Sequence, residues 1–227
     1  MMIEVKDLKK GFGSHKVLDG VTFSVERGDS LVIIGRSGCG KSVLIKNIIG
    51  LLKPDAGYVH IEGTDITSMD ERELLKVRRK FGMLFQSAAL FDSLSVADNI
   101  SFVLRREGEL SDKEIEERVA EVLEMVELPG TQNKKPSELS GGMRKRVGLA
   151  RAIVYKPEII LYDEPTTGLD PVVSDSIDQL IVRVRDKLHV TSVVVTHDTH
   201  VAQRAERIVT ISDGQIVSDE PVKRKAE

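Results

Sequence analysis

Eight residues, GRSGCGKS at positions 35–42, constrain this chain more than any other feature. They fit the spacing G-x-x-x-x-G-K-[ST] without a mismatch. An apolar run, 31–34, precedes them, and a helix-forming segment, 41–52, follows and is stopped by Pro54. Glycines at this spacing let the backbone wrap a polyphosphate, so that N–H groups and a helix N-terminus face its negative charge. In such a loop Lys41 reaches the β- and γ-phosphates and the Ser42 hydroxyl ligates Mg2+. The plainer alternative is a glycine-rich turn that only caps a helix, but a buried strand before it and a helix after it favour the phosphate. Cys39 stands at a variable position of the pattern, where a small neutral side chain suffices.

The rest of the chain reads as strands and helices that could carry such a loop. Segments 3–5, 21–25, 58–62 and 81–85 are β-rich, and 31–34 is apolar throughout, as a central strand covered on both faces would be. From 96 to 155 the pattern is helical. Ser111 and Glu114 form a capping box, and Ile115, Val119, Val122, Leu123 and Val126 share one face. After Pro157 the strands return as IILYD and TSVVVT, separated by a helix opening at Pro171. This predicts an α/β fold with a largely parallel sheet, an N-terminal antiparallel β portion and an inserted helical subdomain over 87–157, within a single domain of 1–227.

Composition narrows the class. With 227 residues, 41% hydrophobic and 30% charged, the chain can bury a sizeable core. A formal net charge of −3 provides no positive field to draw it to nucleic acid or anionic lipid, so attachment to a membrane is expected through a protein partner. One cysteine, Cys39, excludes an internal disulfide and a multi-cysteine zinc site, and fits a reducing cytosol. The opening MMIEVKDLKK lacks the apolar run of a signal peptide, and no apolar stretch approaches the ~18 residues of a membrane span.

A second polar group ends an apolar strand. IILYDEP carries Asp163 and Glu164, where an aspartate beside a phosphate loop suits Mg2+ and the next carboxylate suits orienting and deprotonating a water. Alone, the pair reads equally well as two surface carboxylates. His197 ends the next apolar strand, and a sheet would bring it to the same rim. Alone, a histidine there is more often structural.

With these residues in hand, the chain resembles the nucleotide-binding domain of ABC transporters along nearly its whole length. The family's motifs appear in order: Phe12 as the adenine-stacking aromatic, GRSGCGKS as Walker A, Gln86 as the Q-loop glutamine, LSGGM (139–143) as the signature, LYDEP as Walker B, Asp170 of GLD as the D-loop and His197 as the switch histidine. The resemblance implies ATP and Mg2+ as cofactors. Gly35, Ser37, Gly38, Cys39, Gly40, Lys41, Ser42 and Val43 would bind nucleotide, with Ser42, Gln86 and Asp163 toward the metal and Glu164, Gln86 and His197 in catalysis. It also implies a head-to-tail homodimer in which Ser140, Gly141, Gly142 and Asp170 of one copy meet the nucleotide of the other.

Met143 stands where the family usually has glutamine. LSGGMRKRVGLARAI, with FGMLFQSAALFDSLSVADNISFVLR around Gln86, is similar to the ATPases of the Mla/Mce-type phospholipid transporters, the toluene-tolerance group, in which that methionine is frequent. The resemblance implies an integral membrane permease, an Mce-domain lipid-binding partner, and a peripheral place on the cytoplasmic side of the inner membrane. It also implies a groove for a coupling helix after Gln86. There, SAALFDSLSVADNI reads equally well as a docking surface or as a loop on the subdomain core. The basic run Arg144, Lys145, Arg146 is expected to be solvated helix with some charge toward nucleotide rather than a nucleic-acid site, and the charges of the tail PVKRKAE are expected to stay solvated. Competing readings are an ABC ATPase for another solute such as an amino acid or ion, a soluble ABC protein acting on nucleic acid or ribosomes, and a divisome-type regulator.

Overall fold

The phosphate-loop strand lies where its composition requires, between two parallel neighbours. In the computed structural model, which describes residues 1–202 and 204–222, β3 (Ser30–Ile34) pairs in parallel with β8 (Thr191–Thr196) on one side and with β9 (Arg207–Ser212) on the other. Every residue of β8 and all but the last of β3 are buried, as strands covered on both faces must be. β10 (Gln215–Pro221) returns antiparallel on β9 through Asp213 and Gly214, both in the left-handed region. The tail charges at 223–227 lie outside the described residues.

These strands belong to one of two compact units, Met1–Phe81 with Val190–Glu227; the other is Gly82–His189. The first unit also holds an antiparallel sheet ordered β2-β1-β4-β5, from β1 (Ile3–Phe12), β2 (His15–Val25), β4 (Ala56–Ile61) and β5 (Thr64–Asp65). β1 and β2 form a hairpin running from Ile3 opposite Val25 to Phe12 opposite His15, so both strands reach well beyond segments 3–5 and 21–25. Among its described residues the unit also carries α1 (Lys41–Ile48), α2 (Glu71–Arg78), opened by an Asp70–Glu73 capping box, and the short α7 (Thr199–Ala202).

α1 ends earlier than Pro54 would dictate. Gly50, at φ 70°, reverses the chain, and the N–H groups of Gly50 and Leu51 donate to the carbonyls of Asn47 and Lys46. That is a Schellman closure, and glycine supplies the left-handed residue it needs without a Cβ penalty.

The second unit pairs β6 (Phe81–Leu84) with β7 (Ile159–Asp163) and carries the remaining helices. α3 (Val96–Glu107), α4 (Asp112–Met125) and α5 (Gly141–Ile153) pack on one another, and α6 (Pro171–Leu188) packs on α5. The Ser111–Glu114 capping box opens α4, with Ile115, Val119, Val122 and Leu123 buried along the face their spacing predicts. The segment 87–157 falls inside this unit. Among the described residues no helix is long and apolar enough to cross a membrane.

Candidate functional site

In the first unit the loop after β3 is built by close approaches that only glycine permits. A Cβ on Gly35 would sit 2.5 Å from the Ile211 carbonyl oxygen and 2.6 Å from Cys39 Sγ. Gly40, at φ 103°, is the N-cap of α1, and a Cβ there would meet the Val17 carbonyl oxygen at 2.8 Å. Lys41 is buried, and its Nζ donates to the carbonyls of Gly35 at 2.8 Å and Arg36 at 3.1 Å. The ammonium therefore lies inside the loop, while Arg36, Ser37 and Gly38 are exposed at its rim. Ser42 and Val43 follow in the first turn of α1.

The parallel register brings His197 to this loop. Ile34 is paired with Thr196, so Gly35 and His197 each come one residue after the paired ends of β3 and β8. Phe12 closes the β1–β2 hairpin, half exposed, with Lys10 Nζ 5.7 Å from its ring centroid. Lys10 is itself held by Asp55 at 2.7 Å, and Asp55 also accepts from the Gly11 N–H.

The second unit holds the other candidate residues. Asp163 ends β7 and is buried; Glu164 follows, buried and at φ 49°. A non-glycine residue in the left-handed region costs roughly 1–2 kcal/mol, so its neighbours must hold it there. Thr167 Oγ1 donates to Glu164 Oε2 at 3.1 Å, the Thr167 N–H donates to the Glu164 carbonyl at 3.3 Å, and Lys145 Nζ donates to the same carbonyl at 3.2 Å.

Gln86, exposed, follows β6 by two residues, and its backbone carbonyl also accepts from Lys145 Nζ. Beyond it Ala88 and Ala89 are left-handed, at φ 60° and 45°, and the two Nη groups of Arg151 donate to their carbonyls at 2.6 and 2.7 Å. Gly148, between Lys145 and Arg151 on α5, lets this segment in close: a Cβ there would meet Leu84 Cδ1 at 2.8 Å and Ala88 Cβ at 3.1 Å.

The basic run is thus not a solvated face. Only Arg144 is exposed. Lys145 is buried, and Arg146 donates to the Val126 carbonyl, to Glu127 and to Ser176 Oγ. Three consecutive positions of a helix point about 100° apart, so they cannot share one environment. Burial pushes the Lys145 ammonium below the ordinary lysine range, while the charges of Asp163 and Glu164 pull it back up.

Ser140 and Asp170 are the N-caps of α5 and α6. Ser140 Oγ accepts from the Met143 N–H at 3.2 Å; Asp170 accepts from the N–H groups of Val172 and Val173 at 3.1 and 3.0 Å. The two helix starts touch. A Cβ on Gly141 would lie 3.1 Å from Leu169 Cδ2, and one on Gly142 2.6 Å from Val173 Cγ1. Because Met143 enters the cap through its main-chain N–H, its side chain can change without opening the turn. Met143→Gln adds at most a neutral hydrogen bond, worth about 0.5–1.5 kcal/mol. The expected change in ATPase rate is therefore no more than ~10-fold, checked by steady-state phosphate release; a change near a thousandfold would refute this reasoning.

By chemistry each candidate metal residue suits a hard cation: Ser42 of the first unit carries a hydroxyl oxygen, and Gln86 and Asp163 of the second carry amide and carboxylate oxygens, of the kind Mg2+ takes alongside phosphate oxygens and water. Among the described residues no cluster of three or more His, Cys, Asp or Glu side chains suits a metal.

Comparison with known proteins shows the family. Residues 18–167 match the ABC transporter family. The chain is 43% identical over 234 residues to the "probable ribonucleotide transport ATP-binding protein mkl" of Mycobacterium leprae, spanning 98% of this chain and 67% of that protein. It is 43% identical over 222 residues to the methionine import ATP-binding protein MetN of Brucella abortus, spanning 97% of this chain and 60% of that one. In structure it is similar to the ATP-binding cassette MJ0796 in a dimeric, post-hydrolysis state bound to ADP and Pi, with TM-score 0.89, 35% identity, and coverage of 99% and 100% of the two chains. It is also similar to cbiO1 of Clostridium perfringens, part of the ABC transporter complex cbiONQ, with TM-score 0.88, 28% identity, and coverage of 97% and 88%.

Proposed function

The chain belongs to the ABC transporter family as an ATP-binding domain, and from that premise we propose that it hydrolyses ATP to ADP and phosphate to move phospholipid across the bacterial envelope. The loop at 35–43 binds the nucleotide's phosphates, with Lys41 on the β- and γ-phosphates and Phe12 against the adenine. Ser42, Asp163 and Gln86 are the residues that would hold Mg2+, which would supply neutralisation of phosphate charge. Glu164 takes the proton of the attacking water, Gln86 and His197 orient that water and the γ-phosphate, and the proton leaves with the released phosphate. The observation that carries this reading is Glu164 itself, buried at the end of an apolar strand with its carboxylate fixed by Thr167.

A single phosphate loop and a single signature turn make a homodimer the economical assembly, each copy lending Ser140, Gly141, Gly142 and Asp170 to the other. The dimeric state of the MJ0796 cassette supports this reading. The dimer closes on two ATP molecules and opens after hydrolysis, and a membrane permease reads that change. The protein then sits peripherally on the cytoplasmic side of the inner membrane, with no nucleic-acid partner.

The cargo rests on Met143 and on the two segments around it and Gln86. The relatives' names give other cargoes, ribonucleotide for mkl and methionine for MetN. The test is a pull-down of tagged Glu164→Gln protein from native membranes with ATP, with proteins and lipids identified by mass spectrometry. A permease with an Mce-domain protein and enriched phospholipid is expected. A permease without them, accompanied by a solute-binding protein, keeps the ATPase and replaces the lipid.

A further inference from the structure

We propose that Lys145 is a positioning residue for hydrolysis, joining the backbone at Gln86 to the backbone at Glu164 and so fixing the Glu164 carboxylate relative to the loop that carries Gln86. The proposal rests on the reading of Glu164 as the general base. Lysine is almost never buried without a partner, yet Lys145 is only 5% exposed. Its two hydrogen bonds go to main-chain carbonyls, those of Gln86 and, at 3.2 Å, Glu164. Taking an ammonium out of water costs several kcal/mol, and a methionine of similar length would fill the same space without that cost. What the ammonium supplies and a methionine cannot is a link between two segments 78 residues apart in sequence, from 86 to 164.

Both segments need such a link. Glu164 is left-handed, so its peptide turns away from the strand direction and its carbonyl must be met by donors. The Thr167 N–H, from the same turn, and Lys145 Nζ, from α5, both donate to it. The Gln86 carbonyl marks the start of a segment whose left-handed Ala88 and Ala89 are already gripped by Arg151 of the same helix. Lys145 thus lets α5, which begins at the signature turn, set the base and the Gln86 loop together. Displacement of a reacting group by about 1 Å can cost on the order of 100-fold in rate, with ground-state binding little affected.

The experiment compares Lys145→Met, which removes both donors, with Lys145→Gln, which restores at least one. Each is made alone and combined with Glu164→Gln in the full chain, with thermal melting to establish folding. ATP Kd is expected to stay within about threefold of the unsubstituted protein. Lys145→Met should lower kcat by about 30-fold or more, Lys145→Gln by only about fivefold, and neither should lower the residual rate of Glu164→Gln further. If Lys145→Met does not fold, Lys145→Gln carries the comparison. A kcat at the unsubstituted level, a loss of ATP affinity matching the loss of kcat, or full additivity with Glu164→Gln overturns the proposal. Normal hydrolysis by Glu164→Gln alone removes instead the reading of the base.

Discussion

Glu164→Gln is expected to bind ATP as the unsubstituted protein does and to lose turnover by about 10²–10⁴-fold, the range a positioned general base supplies. The substitution is close to isosteric. The amide oxygen can still accept from Thr167 Oγ1, and the bonds from Lys145 and the Thr167 N–H go to the main-chain carbonyl, which is unchanged. The strained backbone at φ 49° is therefore held as before. What disappears is the capacity to take a proton. With hydrolysis stopped, the ATP-bound state persists, so a dimer should accumulate with ATP and not with ADP. Equilibrium titration, phosphate release and size-exclusion chromatography check the three parts. Ordinary turnover in this variant would show that the base lies elsewhere.

The strands that end at the phosphate loop, at Asp163 and before His197 are legible in the sequence because they are buried on both faces. β3, β7 and β8 are nearly pure apolar runs ended by polar groups, and no helix stripe competes with that pattern. The capping box at Ser111 fixed the start of α4 to the residue. The equivalent box at Asp70, which opens α2, and the Asp213–Gly214 turn between β9 and β10 were written in the sequence with equal clarity. α2 buries Leu74 alone and β10 buries no residue, so the apolar signal of both is weak.

The finer structure of the site could not be read in the same way. Ala88, Ala89 and Glu164 are not residues that favour the left-handed region, and nothing local announces them. They are held by cations from α5 that lie 19 to 63 residues away. A run of Arg144, Lys145 and Arg146 looks like a charged surface because composition cannot say where each position of a helix faces. Lys145 is distinguished from its neighbours only by packing, through Gly148 one turn on and the approach of Ala88 it permits. Pattern locates the elements; which polar groups they trap is decided by tertiary contact.

Lys41→Ala is expected to have the other large effect, on binding rather than on turnover. A charge-assisted hydrogen bond is worth about 1.5–3 kcal/mol, and Lys41 is assigned contacts to two phosphates. Losing both weakens ATP by roughly 10²–10⁴-fold. The fold should hardly notice. The bonds that Lys41 Nζ makes to Gly35 and Arg36 are to carbonyls of a loop with an exposed rim, where water can replace a lost donor. The loop's course is set independently by the close approach of Gly35 to Ile211 and of Gly40 to Val17. Melting should therefore shift by no more than about 3 °C, which corresponds to roughly 1 kcal/mol in a chain of this size. Lys41→Arg should not restore affinity, because the lysine is only 5% exposed and a planar guanidinium fork is wider than the ammonium that fits inside the loop. Calorimetric titration with ATP, set beside a melting curve for each variant, separates the two quantities. An unchanged ATP affinity in Lys41→Ala would mean that the loop's N–H groups bind the phosphates without it, and the assignment of Lys41 to the phosphates would fall.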